Sequence, residues 1–216
     1  MSMYATAVKF FQDSGVFIYP SIMVLAIGLA IAIERTLYIY RARNENRTLW
    51  EKMLPLLQSG KYPQVHQMAS KSDTAIGTIV QYGLGRLKSA RRREDIDAAM
   101  EEGMMEIVPR LEKRTHYLAT FANVVTLLGL LGTIVGLIKA FTAVSAVSPS
   151  EKAELLSASI SIAMNNTAFG LVVAIPFLLM HAFLQARTSE IVDSLEAAKI
   201  KFLNLVEHRK SEAAAA

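Results

Sequence analysis

Residues 117–138 read YLATFANVVTLLGLLGTIVGLI, twenty-two residues without a formal charge, yet threaded with Gly and Thr. At about 1.5 Å per residue, a helix of this length crosses the roughly 30 Å hydrocarbon core of a bilayer. The stretch therefore predicts a membrane span. Its small residues Ala122, Thr126, Gly129, Thr133, Gly136 and Ala140 recur at spacings of 4, 3, 4, 3 and 4, which puts them on one helix face. A helix surrounded only by lipid needs no such stripe, whereas one packed closely against another does.

The whole chain has 216 residues, 52% hydrophobic and 19% charged, with a mean hydropathy of +0.31. That is too apolar for an ordinary soluble domain and too charged to lie wholly in lipid, so spans plus a sizeable aqueous part are expected. There is no cysteine, which rules out disulfides and thiolate metal sites. The net charge of +4 is read through its location, because Lys and Arg collect on the cytoplasmic side of membrane proteins. The Arg91–Arg93 run has no interleaved aromatics and reads as a solvated inner face, not a nucleic-acid site.

Toward the N-terminus, Val16–Ile33 is uncharged and is followed by Glu34, Arg35, Arg41, Arg43 and Arg47. A secretory signal peptide has the reverse order, so this is expected to be a retained first span with its N-terminus outside. Residues 1–15 are expected to form an amphipathic surface helix around Val8, Phe10 and Phe11. From Arg41 to His116, fourteen Lys or Arg face ten Asp or Glu; QSGKYP (58–63) and RRRED (91–95) divide the region into helices. Ile96, Met100, Met104, Ile107 and Leu111 form one apolar stripe. That helix is expected to run on through Arg114 into the second span, with a kink at Pro109.

Toward the C-terminus, Ser148, Pro149 and Glu151 fit a capping box, so a helix is expected to begin there. Leu155–Ala186 is uncharged for thirty-two residues, about 48 Å as helix, with Pro176 as its expected kink. The tail carries an apolar stripe at Ile191, Leu195, Ala198, Phe202 and Leu205. Three spans, N-terminus out and C-terminus in, place nearly all basic residues on one side.

The third span has its own small face: Ser159, Ala163, Thr167, Gly170 and Ala174. Gly129, Gly132, Gly136, Ala163, Gly170 and Ala174 are accordingly expected to be helix-packing positions. Asn165, Asn166 and Thr167 lie near the middle of this span, where polar groups need partners or water. No Asp or Glu occurs in either apolar stretch; His181, toward the inner end of the third span, is the only titratable candidate for a proton relay and reads first as an interface or packing histidine. If an ion passes, its carboxylate is expected from another chain. No nucleophile with a base and no phosphate-binding loop is present, so enzyme chemistry is not expected.

At LATFANVVTLLGLLGTIVGLIKAF and NNTAFGLVVAIP the chain resembles the MotA/TolQ/ExbB family of ion-driven inner-membrane motor subunits, and its three-span plan is similar to the ExbB and TolQ branch. The resemblance implies a homopentamer in the bacterial inner membrane. It further implies that the ring surrounds transmembrane helices of an ExbD- or TolR-like single-span partner, whose aspartate binds the ion. It also implies that Thr133 and Thr167 face the ion pathway; Asn165 and Asn166, adjoining Thr167 in the same span, are expected to line it from their polarity alone. Many members carry a Glu five residues before the third-span Thr, where this chain has Ile162. Thr and Asn oxygens suit Na+ as well as H+ chemistry, so the translocated ion is left as either; no cofactor and no metal are expected.

The expected fold is thus all-α, with three transmembrane helices and long helices extending into the cytoplasm. A periplasmic N-terminus (1–15) precedes a first span (16–40), a cytoplasmic helical region (41–116) and a second span (117–142). A periplasmic turn (143–154), a third span (155–187) and a cytoplasmic helix and tail (188–216) follow. The expected function is a ring-forming subunit that couples ion flow to mechanical work on an envelope partner. The alternatives are a passive membrane scaffold or a small-solute transporter subunit.

Overall fold

Backbone N–H and C=O groups in hydrocarbon must be bonded within their own segment, so apolar runs of this length fold as helices. The computed structural model describes residues 16–87, 89–90, 92–145 and 148–215, and among these no strand occurs. The elements are α1 (Ile18–Gln58), α2 (Tyr62–Ser70), α3 (Ala75–Leu87), α4 (Arg93–Glu112), α5 (Thr115–Val144) and α6 (Lys152–Ala215). The helical stretches Ile18–Gln58, Arg93–Val144 and Lys152–Arg209 are long and apolar enough to cross a membrane. The chain is an all-α membrane protein. The surface helix expected at 1–15 falls outside the described residues.

α1 has 41 residues and α6 has 64. At 1.5 Å per residue these are about 60 and 95 Å long, two to three times the hydrocarbon thickness. Each runs without a break from apolar into charged sequence, so the expected division of α6 near residue 187 is not a break in the helix. α1 ends at the expected place. Gly60 has φ of +69°, Gly60 N–H donates to Leu57 and Lys61 N–H to Leu56, which together close the helix as a Schellman motif.

Two expectations are corrected. α4 does not continue into the second span: it stops at Glu112, and Arg114 adopts a left-handed φ of +66° before α5 starts at Thr115. Pro109 lies inside α4, so the interruption comes after it, at residues 113–114. The N-terminus of α6 also differs. Residues 149–151 form a turn, the Ser148 hydroxyl donates to the Glu151 carboxylate at 2.8 Å, and the helix begins only at Lys152. With hydroxyl and carboxylate engaged with each other, the capping box is not formed.

The chain divides into two compact units, residues 1–34 with 114–183, and residues 35–113 with 184–216. In the first, Ile18, Ala122, Val125, Phe169, Val173, Ala174 and Phe177 form a buried cluster. Gly28 lets the Phe177 ring lie against α1, since a Cβ there would sit 2.4 Å from the ring. Arg114 pairs with Glu34 at 3.5 Å.

In the second unit the expected stripe Ile96, Met100, Met104, Ile107 and Leu111 is buried throughout. It is joined by Ile191, Leu195, Ala198 and Phe202 of α6, while Leu205 is only half-buried and Leu203 and Val206 take the inner places. Ion pairs tie α6 to α4: Lys199 reaches Glu101 at 2.6 Å and Asp97 at 3.3 Å, and Arg93 reaches Glu207 at 2.6 Å. Buried Asn46 of α1 accepts a hydrogen bond from Ile76 N–H at 2.8 Å, capping α3. Buried Arg35 donates to the carbonyl of Leu111, in the last turn of α4, and lies 4.6 Å from the Tyr38 ring centre.

Candidate functional site

α5 and α6 meet along their small residues. A Cβ on Gly129 would lie 2.9 Å from the Asn166 carbonyl oxygen, and one on Gly170 would lie 2.9 Å from the Val125 carbonyl oxygen. Backbone therefore touches backbone at this crossing, which only glycine permits. A Cβ on Gly132 would meet the Asn166 side chain at 2.8–3.0 Å, and one on Gly136 would meet the Ala163 Cβ at 3.0 Å. The structure thus brings Gly129, Gly132, Gly136, Ala163 and Gly170 to one seam, with Ala174 buried in the adjoining cluster.

Polar groups line the same seam. The Thr167 hydroxyl donates to the Gly129 carbonyl at 3.2 Å, the one hydrogen bond between the two helices at this level among those described. Asn166 is 6% exposed; its Nδ2 lies 3.5 Å from the Ile162 carbonyl, and its Oδ1 has no protein partner among the described residues. A buried amide oxygen without a partner is costly, and in a span it marks a position that another group must serve. The Thr133 hydroxyl is half-buried and donates back to Leu130 at 2.6 Å, leaving its lone pairs available.

Asn165 does not join this set. Residues two apart on a helix point about 200° apart, so Asn165 and Thr167 lie on opposite flanks of α6, and Asn165 is half-exposed. Pro176 sits inside uninterrupted α6, where it removes one backbone donor. His181 is half-buried in the same helix.

The small-residue spacing passes over Asn123, the one amide of the second span. Its side chain is exposed, on the side of α5 away from the seam. The signal that would single it out is an amide within an uncharged run of span length. In the second unit, a cleft of about 470 Å3 is walled by Tyr38, Arg41, Glu45, Asn46, Asp73 and Arg110 among others. Its cations are already engaged, Arg41 with Glu45 at 2.6 Å and Arg110 with Glu106 at 2.5 Å, so it offers no ready anion seat.

The sequence model of the MotA/TolQ/ExbB proton channel family matches residues 71–197, which include the α5–α6 seam. A putative biopolymer transport protein ExbB-like 3 of Synechocystis sp. is 29% identical over 166 residues, covering 76% of this chain and 78% of that protein. The biopolymer transport protein ExbB of Pseudomonas putida is 27% identical, covering 90% of this chain and 64% of that protein. The Tol-Pal system protein TolQ of Haemophilus influenzae is 27% identical, covering 76% of each.

Proposed function

The chain belongs to the MotA/TolQ/ExbB proton channel family, and on that premise we propose that it is the ring-forming subunit of an inner-membrane motor. Copies of it surround single-span helices of an ExbD- or TolR-like partner, with N-terminus outside and C-terminus in the cytoplasm. Ion flow past Thr133, Thr167 and Asn166, and over an aspartate supplied by the partner, drives relative rotation and so work on an envelope protein. The translocated ion is H+ or Na+. Each charge crossing a 100 mV potential releases about 2.3 kcal/mol, enough to bias a conformational equilibrium.

The observation that carries this reading is the polar cluster of Thr167 and buried Asn166 against the glycines of α5, within spans lacking any carboxylate. Such a cluster offers oxygens to a moving ion and leaves the charge-balancing acid to another chain. The test is gradient-driven work by the full complex carrying Thr133→Val or Thr167→Val. Both variants should assemble and insert normally but lose function, whereas wild-type activity in either would remove that residue from the pathway. Withdrawing Na+, and separately adding a protonophore, identifies the ion.

A further inference from the structure

We propose that Lys113 and Arg114 form the yielding joint of the chain, the place that gives way when α1 shifts against α6 as the motor works. α1 and α6 themselves carry the movement of the spans onward as unbroken helices. This rests on the motor proposed for the chain.

The chain passes between its two compact units at residues 34–35, 113–114 and 183–184. The first and last passages lie inside α1 and α6, which are continuous there and have no Gly or Pro within a turn, so neither has a cause to kink. The middle passage is broken. α4 stops at Glu112, α5 starts at Thr115, and Arg114 between them has φ of +66°, the one left-handed residue other than glycine among those described. Residues 110–118 read RLEKRTHYL, with no Gly or Pro, so nothing in the local sequence asks for the break. A non-glycine residue holds that conformation only where its surroundings impose it.

Thr115 shows what the break displaces. Thr120, Thr126 and Thr142 of α5 each donate to the carbonyl four residues back, at 3.2, 2.9 and 2.9 Å. The carbonyl four residues before Thr115 is that of Leu111, on the far side of the break. It accepts from Arg35, and the Thr115 hydroxyl is buried without a partner among the described residues. A left-handed Arg beside an unbonded buried hydroxyl is not a resting arrangement of the local chain, so contacts from elsewhere must hold it.

Those contacts come from α1. Arg35 bonds Leu111 before the joint, and its neighbour Glu34 pairs with Arg114 at 3.5 Å. The helices on either side are fastened to α6 instead. α4 is tied to it by Lys199 and Glu101 at 2.6 Å, and α5 by the glycine contacts and the Thr167 hydroxyl on the Gly129 carbonyl. α4 and α5 therefore travel with α6, while the short segment between them is gripped by α1. A slide or turn of α1 against α6 falls on Lys113 and Arg114, because no other passage between the units has a break to absorb it.

Lys113 and Arg114 are exposed and are both trypsin sites, so cleavage reads the joint directly. The experiment pulses trypsin onto inverted membrane vesicles holding the full complex, during respiration and after a protonophore and a sodium ionophore have collapsed the gradient, and maps the cuts by mass spectrometry. Lys71, exposed at the end of α2, is the reference site. Cleavage at 113–114 relative to Lys71 should rise several-fold in respiring vesicles, because cleavage follows the population of the opened segment. Glu34→Gln and Arg35→Met, which cut the ties to α1, should raise cleavage at rest and bring the ratio between respiring and collapsed vesicles toward one. The wild-type comparison stands by itself should either variant fail to insert. Cleavage at 113–114 that ignores the gradient in a complex doing gradient-driven work, or an equal rise at Lys71, overturns the joint and leaves the motor standing. A complex that does no such work overturns both.

Discussion

The hydroxyl of Thr167 donates to the backbone carbonyl of Gly129, 3.2 Å away on the neighbouring span. That carbonyl is reachable because Gly129 has no side chain and Gly170 lets α6 approach to contact. One contact therefore serves packing and places a polar group in the seam. Thr167→Val keeps the shape and removes the hydroxyl. Interhelical bonds in membranes average about 0.6 kcal/mol, so thermal unfolding in detergent should barely move while gradient-driven work is lost. A large drop in stability with function retained in the surviving fraction would assign the residue to packing alone.

The glycines should differ sharply among themselves. Gly129→Ala and Gly170→Ala each drive a Cβ to 2.9 Å from a backbone oxygen that cannot turn aside. Each should cost about 1–3 kcal/mol, the range for overpacking. Gly85, in α3, has open space around its missing Cβ, so Gly85→Ala should be neutral or stabilising by up to about 1 kcal/mol. Unfolding midpoints of the three variants in one detergent give the comparison; equal effects would contradict the backbone contact.

Arg35 should act as a clamp on the end of α4. Its guanidinium is 3% exposed and bonds the Leu111 carbonyl, two residues before the chain leaves the helix at Lys113. Hydrogen bonds from charged donors contribute about 1.5–3 kcal/mol. Arg35→Met should lower stability by that order and speed trypsin cleavage at Lys113 and Arg114. Unchanged cleavage kinetics would show that the joint is held by other contacts.

Lys199 supplies a pH signature outside the membrane. Burial pulls its ammonium toward neutrality, but the hydrogen bond to Glu101 and the charges of Asp97 and Glu101 outweigh this and hold its pKa above the ordinary 10.5. A raised pKa means that the stabilisation is fully present below pH 10.5 and is lost as pH climbs through the higher folded value. Lys199→Met should therefore cost about 1 kcal/mol at neutral pH, a modest figure because both acids are about half exposed. The gap between wild type and variant should stay constant to about pH 10 and close above it. A gap that widens with alkali would reverse the sign of the argument.

Much of the architecture is legible in one dimension. Uncharged runs at Val16–Ile33, Tyr117–Ile138 and Leu155–Ala186 can satisfy their backbone in lipid only as helices. The apolar stripe from Ile96 to Leu111 likewise announces a buried face. Where helices end was less legible. QSGKYP stops α1 because Gly60 readily takes a positive φ, but Lys113–Arg114 contains no breaker, and the obvious one, Pro109, lies inside α4. Ser148 and Glu151 have the letters of a capping box, yet their side chains bond each other.

The site divides along the same line. Periodicity alone put Gly129, Gly136, Ala163 and Gly170 on faces of small residues, because a helix repeats every 3.6 residues whatever surrounds it. Which face meets which neighbour is a matter of three-dimensional contact. Only the folded chain joined Thr167 to the Gly129 carbonyl, wedged Asn166 against Gly132, turned Asn165 to the other flank and left Asn123 pointing outward. The physical reason is that hydrophobic length is a property of a single segment. The partner of a polar group is set by how closely two segments can approach.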